Sequence, residues 1–275
     1  MNNTLLTETS SIIRDYLGSE LDKITIEKAV FGLFFSGVKL SNNCGGLCFT
    51  PVKEMPQAVC CPSSAKAMPL SGRLSERSAA EYLDDLDHNN VLRKTLAIAT
   101  LNALSADYWN KNSNNNYVMQ TGPDALEELE IPENGKTVVV GALVPILKKL
   151  LKQEADFTVI EMDIRTLQGK ELDHYAPPAD AHKHVPDANL LVVTGVTVLN
   201  DTLPGLLEMA KPGAQIVVTG PTASMLPDAF FKRGVTMMGG ILVTDPDEVL
   251  DIISEGGSGY HFFGKSAERL IIKSA

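Results

Sequence analysis

Apolar residues recur along this chain with two different rhythms, and the change falls just before its middle. Leu5, Leu6, Ile12, Ile13, Tyr16 and Leu17 share one face of a helix that Gly18 would end. Ile24 to Leu40 then reads as extended, with apolar stretches broken at Gly32 and at Ser36-Gly37, which predicts a hairpin-like bend near Gly37. Gly46 to Thr50 makes a third short strand, closed by Pro51. Beyond a loop of Pro, Ser and Met, one helix is predicted from about Ser75 to Leu86, with Ser75 and Ser78 available as caps. Another runs from Asn89 to about Tyr108, with Leu92, Leu96, Ala99 and Ala103 stepping along one face. A helix, a three-strand meander and two helices form a compact α+β unit.

Lys111-Asn-Ser-Asn-Asn-Asn116 is too polar to bury a core and marks a boundary. It divides the chain into residues 1–112 and 113–275. After it, strand and helix patterns alternate. Strands are predicted at Thr137–Val140, Phe157–Met162, Leu190–Val193, Gln215–Thr219 and Val235–Met238. Helices are predicted from Val144 to Gln153, from the Asn200-Asp201 cap through Met209, and around Met225 to Phe231. Asp245-Pro-Asp-Glu248 reads as the capped start of one more. This βα alternation, with short runs rich in β-branched residues, predicts an α/β, doubly wound, Rossmann-like parallel sheet following the small α+β domain.

Four of the five strands end at a glycine, at Gly141, Gly195, Gly220 and Gly239, and the fifth ends near Glu161 and Asp163. Open α/β sheets bind ligands at this edge, where glycine turns let a ligand approach the backbone. The stretch Asn189 to Pro204 is the richest example, because a buried strand runs into Thr194-Gly195 and then Thr197, Asn200, Asp201 and Thr202. Thr194, Gly195, Thr197, Asn200, Gly220, Pro221 and Thr222 are therefore candidate ligand contacts, with Gly141 and Glu161 beside them. The plainer reading is that these glycines only close tight turns. Asp163 lies 22 residues after Gly141, near the place of an acid that binds a ribose hydroxyl. Gly141-Ala-Leu-Val-Pro145 holds a single glycine, so the dinucleotide fingerprint is absent, and no Walker-type loop occurs. S-adenosylmethionine-type binding, which demands fewer glycines, stays open. Lys39 lies between Val38 and Leu40, and faces either solvent or a domain cleft, where it would bind an anion or act as a base.

A net charge of −10 over 275 residues argues against nucleic acid or an anionic membrane as the main partner. The start of the chain has no basic segment followed by an apolar core, and no apolar run approaches a bilayer span, so a cytoplasmic protein with reduced thiols is the expectation. Cys44, Cys48, Cys60 and Cys61 lack the paired knuckles of structural zinc sites, and His182-x-His184 diverges if helical. Glu255-Gly-Gly-Ser-Gly259 reads as a helix stop and loop, or as a mobile lid.

Three stretches carry a resemblance: Gly32-Leu-Phe-Phe-Ser-Gly-Val-Lys-Leu-Ser41, Thr194-Gly-x-Thr-x-x-Asn200 and Gly220-Pro-Thr-x-x-Met-Leu-Pro227. Together they resemble the bacterial and archaeal family called the putative heavy-metal chelation domain. The resemblance implies an N-terminal domain similar to the enolase N-terminal fold, then an atypical Rossmann-like domain with partial similarity to methyltransferases. It also implies a site between the two domains and a link to making or handling metal chelators. Two readings follow. One is an enzyme acting on a small heteroaromatic or chelator-like molecule (pterin-, flavin- or siderophore-like), with an S-adenosyl-type ligand, Lys39 or Asp163 as base, and the strand-end residues as ligand contacts. The other is a protein that sequesters a divalent metal or metal chelate without chemistry. A homo-oligomer is compatible with both.

Overall fold

The structure is a computed structural model that describes residues 4–54, 71–112 and 116–274. Helix α1 (Thr4–Leu17) passes into a tighter turn over Gly18–Lys23. Strands β1 (Ile26–Phe31), β2 (Phe35–Leu40) and β3 (Gly45–Phe49) then form the antiparallel meander. The bend between β1 and β2 falls at Gly32–Phe34 and not at Gly37, which is paired with Leu47 inside β2. Gly37 packs closely there, since an added Cβ would stand 2.5 Å from a Leu47 methyl and 2.8 Å from a Leu250 methyl, and both leucines would have to shift.

Helix α2 (Ala79–Leu83) starts at a reciprocal Ser78–Glu81 capping box. It starts later than its sequence pattern because Ser78 is bridged to Thr25, just before β1, which keeps the chain extended up to the cap. Helix α3 (Val91–Lys111) begins where the Asn90 side chain accepts the Leu92 and Arg93 N–H groups. Every residue from Lys94 to Asp107 is buried, so α3 is enclosed on all sides. One side takes the meander at close range, because a Cβ on Gly46 would lie 2.1 Å from the Ala99 carbonyl oxygen.

The second half alternates β4 (Tyr117–Thr121), α4 (Ala125–Glu128), β5 (Thr137–Val140), α5 (Val144–Lys152), β6 (Phe157–Ile160), β7 (Tyr175–Ala176) and α6 (Ala181–His184). It continues through β8 (Leu190–Thr194), α7 (Val196–Leu199), α8 (Leu203–Met209), β9 (Gln215–Thr219), α9 (Asp228–Phe231), β10 (Met237–Val243), α10 (Pro246–Ser254), α11 (Gly259–Phe262) and β11 (Ala267–Ser274). The sheet runs β4-β11-β10-β9-β8-β5-β6-β7, with β7 to β10 parallel and β11 and β4 antiparallel to their neighbours. Taken in chain order, the six parallel strands have the arrangement of a doubly wound Rossmann sheet.

Alternate strand residues feed two cores. Val138, Leu191, Val193 and Val218 join the core that includes Leu96, Ile98 and Leu101 of α3. Val139, Val159, Val192 and Val217 join the other, under Ile146, Leu147 and Leu150 of α5. Burial on both faces is why these strands read as unbroken apolar runs.

Three strands lack such a signal in the sequence. β7 has two residues, β4 is exposed at four of its five positions, and β11 places its apolar residues between Arg269 and Lys273. Strand β10 also runs on through Gly239-Gly240 where the sequence pattern would end it. Those glycines admit neighbours, since a Cβ on Gly239 would stand 2.6 Å from Ala125 Cβ. His182 and His184 diverge on short α6, with His182 Nδ1 against the Ala179 carbonyl and His184 Nδ1 beside Lys136. The glycines at 256 and 257 close α10, and Ser258 caps α11. Among the described residues no helix is long and apolar enough to cross a membrane.

The Gly46 contact makes a direct prediction. Gly46→Ala forces β3 off the backbone of α3, and should cost about 2 kcal/mol or more of unfolding free energy by urea titration.

Candidate functional site

The strand order of the sheet reverses between β5 and β8, which run parallel, and that switch point is where open α/β folds bind ligands. Val140 is paired with Val193, so Gly141 and Thr194 leave the sheet side by side. Gly141 has φ +98, and a Cβ there would lie 2.8 Å from the Thr194 methyl. No other residue type satisfies both conditions.

Glu161 leaves the end of β6 and returns its carboxylate to this turn. One oxygen accepts the Ala142 N–H at 2.8 Å, and the other accepts the Asp163 N–H at 2.9 Å. The side chain is thereby fixed across the β5 and β6 ends by two charge-assisted hydrogen bonds.

Asp163 is occupied differently. Its carboxylate accepts Arg165 Nε at 2.8 Å and Arg165 Nη2 at 2.9 Å, and it also pairs with Lys53 from the segment after β3. Arg165 first, then Lys53, hold the carboxyl well below the usual carboxylate range. It is therefore a poor base, because it stays ionised and its lone pairs are engaged. Its pairing with Lys53 instead brings the segment after β3 to this edge of the sheet.

Lys39 does not reach that edge. It is paired with Gly45 at the far end of the β2–β3 ladder from Phe49, and its ammonium pairs with Asp247 at 2.7 Å and Glu27 at 3.3 Å. Asp247 foremost raises its pKa, which keeps it charged and unsuited to proton abstraction. Its role is to tie β2 to α10.

The remaining candidates divide. Gly195 donates to the Thr219 carbonyl at 2.7 Å, and Gly220 to the Gly239 carbonyl at 2.7 Å, so both bind neighbouring strand ends together. Thr197 is buried and donates its hydroxyl to the Thr194 carbonyl. The Asn200 side-chain oxygen is taken by the Thr202 hydroxyl at 2.7 Å, away from the crevice. Pro221 and Thr222 form the seam between domains. The Asn102 amide donates to the Leu47, Pro221 and Thr222 carbonyls, and the Thr222 hydroxyl accepts the Phe49 N–H at 3.0 Å. The ends of β5, β6 and β8 thus bring together Gly141, Glu161, Asp163, Thr194 and Gly195. Thr197 braces the turn after β8, Asn200 orders the turn at Thr202, and Pro221 and Thr222 dock the meander.

Lys53, Arg165 and Asn102 were not among the sequence candidates. Arg165 follows Asp163 by two positions, a spacing that permits a side-chain turn pair. Nothing local to Lys53 or Asn102 announces a partner more than a hundred residues away.

The rim is apolar. Val144, Met162 and Ile164 are exposed on the turns after β5 and β6, and Val52 is exposed beside Lys53.

Two family models match the chain, both described as putative heavy-metal chelation, over residues 14–105 and 124–272. The chain belongs to this family. An uncharacterized protein of Methanocaldococcus jannaschii is 29% identical over 192 residues, which is 69% of this chain and 70% of its own length. A crystal structure of a family member of unknown function from Pyrococcus horikoshii superposes with a TM-score of 0.76 at 20% identity, covering 98% of this chain and 99% of that one. A second, from Desulfitobacterium hafniense, gives 0.68 at 18% identity, with the same coverage of 98% and 99%. At these identities the two structures establish the shared fold.

The family description prompts the question of a metal site. Among the described residues no three His, Cys, Asp or Glu side chains gather in a way that would hold an ion. Burial pushes the Cys48 thiol up to about 12, and burial with nearby Asp107 pushes Cys44 up to about 11, so both stay protonated. Cys60 and Cys61 lie outside the described residues. The described side chains therefore do not fit a resident metal.

Asp163 sets a pH prediction. A carboxyl depressed in the folded state contributes stability that is present above its unfolded pKa of about 3.9, and that is lost as pH falls through the lower folded value. Asp163→Asn should be less stable than wild type at neutral pH, and the gap should close as pH drops below about 4. Equilibrium unfolding of both proteins across this range checks it, and a gap independent of pH would contradict the pairing.

Proposed function

We propose that this protein binds a small molecule that presents a nucleoside-type diol and a flat heteroaromatic ring, at the crevice between β5 and β8. The observation that carries the reading is the Glu161 carboxylate. Each of its oxygens accepts one backbone N–H, and a carboxylate oxygen has room for a second donor. A vicinal diol supplies two donors at the spacing of one carboxylate. Glu161, 20 residues after Gly141, takes the ribose-binding role that the sequence offered to Asp163.

The same geometry disfavours phosphates. The β5–α5 turn would cradle a pyrophosphate in a dinucleotide-binding protein. Here its Ala142 N–H is engaged by Glu161, whose charge would repel a phosphate at that point. A phosphate-free adenosyl compound, a pterin or a flavin nucleus suits the crevice better than NAD or ATP, and Val144, Met162, Ile164 and Val52 offer the ring an apolar rim.

This supports a methyltransferase-like enzyme that makes or handles a chelator, with its ligand between the N-terminal domain and the sheet. Neither Lys39 nor Asp163 serves as its base. The sequestration reading gains no support from the described side chains, although a metal carried by the ligand itself would need no protein thiols.

A thermal-shift comparison tests the proposal. A ligand at about 100 times its dissociation constant stabilises by about 2.7 kcal/mol. S-adenosylhomocysteine or a pterin should stabilise wild type, Glu161→Ala should abolish the shift, and NAD and ADP should give none. Stabilisation by NAD or ADP, or full retention of the shift in Glu161→Ala, would overturn the assignment.

A further inference from the structure

The two edges of the eight-stranded sheet are built differently. At one edge β7 spans only Tyr175–Ala176, and Pro177 and Pro178 follow it. Short strands and prolines protect an edge from further pairing. At the other edge β4 runs Tyr117-Val-Met-Gln-Thr121 and carries no charge, no proline and no register shift against β11. Among the described residues β11 is its sole strand neighbour. Val118 is 57% exposed and Met119 37% exposed. The start of the strand is held firmly, since the Tyr117 hydroxyl accepts the Trp109 indole N–H and its ring meets Phe231 edge-on.

We propose that β4 is a pairing edge for a second copy of this chain, which joins two sheets antiparallel across a two-fold axis at Met119. That register sets Met119 against Met119, Val118 against Gln120 and Tyr117 against Thr121 of the second copy. Every opposed pair is uncharged, so the strand meets no like-charge penalty with itself. A negatively charged partner strand would face the chain's net charge of −10 without a matching cation on β4. Because β7 is closed to pairing, the contact cannot propagate through both edges. It ends at an isologous dimer and not a filament.

A five-residue ladder with two apolar side chains falls short of the roughly 1,200–2,000 Å² that stable complexes bury, so the dimer dissociates on dilution. Both copies carry the same net charge, so added salt strengthens the association by screening repulsion.

Sedimentation velocity over a wide concentration range tests this. Wild type should shift from the mass of one chain to that of two as concentration rises, and more so in high salt. Val118→Lys with Met119→Lys should remain monomeric with an unchanged circular dichroism spectrum. Tyr260→Ser, at the far more exposed Tyr260, should behave as wild type. A wild type that stays monomeric at its highest soluble concentration would overturn the proposal, as would a dimer that persists in the double-lysine variant. Hydrogen exchange provides a second reading without mutation. Protection of the β4 amides should rise with protein concentration, and concentration-independent exchange would contradict the pairing.

Discussion

The burial of α3 on every side is the constraint on which the rest of the molecule depends. A helix enclosed from Lys94 to Asp107 cannot belong to either domain alone. It presents small backbone-exposing positions at Ala99 and Ala103 to Gly46 of the meander, and Leu96, Ile98 and Leu101 to the core that also holds one face of the large sheet. Burying that much polar backbone and side chain requires partners, and the Asn102 amide supplies them by bonding to carbonyls of both β3 and the turn after β9. The lateral position of the meander relative to the strand ends is thereby set. The chain that leaves β3 then reaches the strand-end edge of the sheet, where Lys53 meets Asp163.

That chain of contacts separates strand-end residues whose polar groups are used up inside the protein from those left able to meet a ligand. Polar groups at a strand edge have two uses, and burial with an internal partner separates them. Thr197 and Thr222 are buried with their hydroxyls engaged, so they maintain the turns and the domain seam. Glu161 is half-buried and satisfied only by backbone N–H groups, which orient its carboxylate without using it up. Asp163, closed by a guanidinium and an ammonium, is a clasp between domains.

Five of the six parallel strands were legible in the sequence because both faces are buried and their apolar runs are continuous; two-residue β7 was not. The caps at Ser78 with Glu81 and at Asp245 with Pro246 were legible as local chemistry. The expected Asn200-Asp201 cap was not found, since α8 starts after Thr202 with no side-chain cap and Asn200 ends α7. Glycines were legible in position but not in purpose. Gly37 and Gly239 lie within strands and admit side chains from elsewhere in the fold, where the local pattern suggested a bend or a stop. The edge strand β4 was illegible because exposure removes the apolar alternation that marks a strand. Lys39 shows the same limit at the site, since its fate depends on Asp247, which is 208 residues away. Asp163 was found by its spacing from Gly141 and Glu161 by its place at a strand end, but only their partners tell acceptor from clasp.

The central claim is that Glu161 receives a diol while its backbone N–H bonds stay intact. Amide chemical shifts of the nitrogen-labelled protein during titration with S-adenosylhomocysteine test it most directly. The account predicts saturable shifts at Ala142, Asp163 and Gly195, weaker ones at Met162 and Ile164, and none at Lys39, with all of them absent in Glu161→Ala. Shifts confined to other regions, or the same shifts in Glu161→Ala, would contradict it.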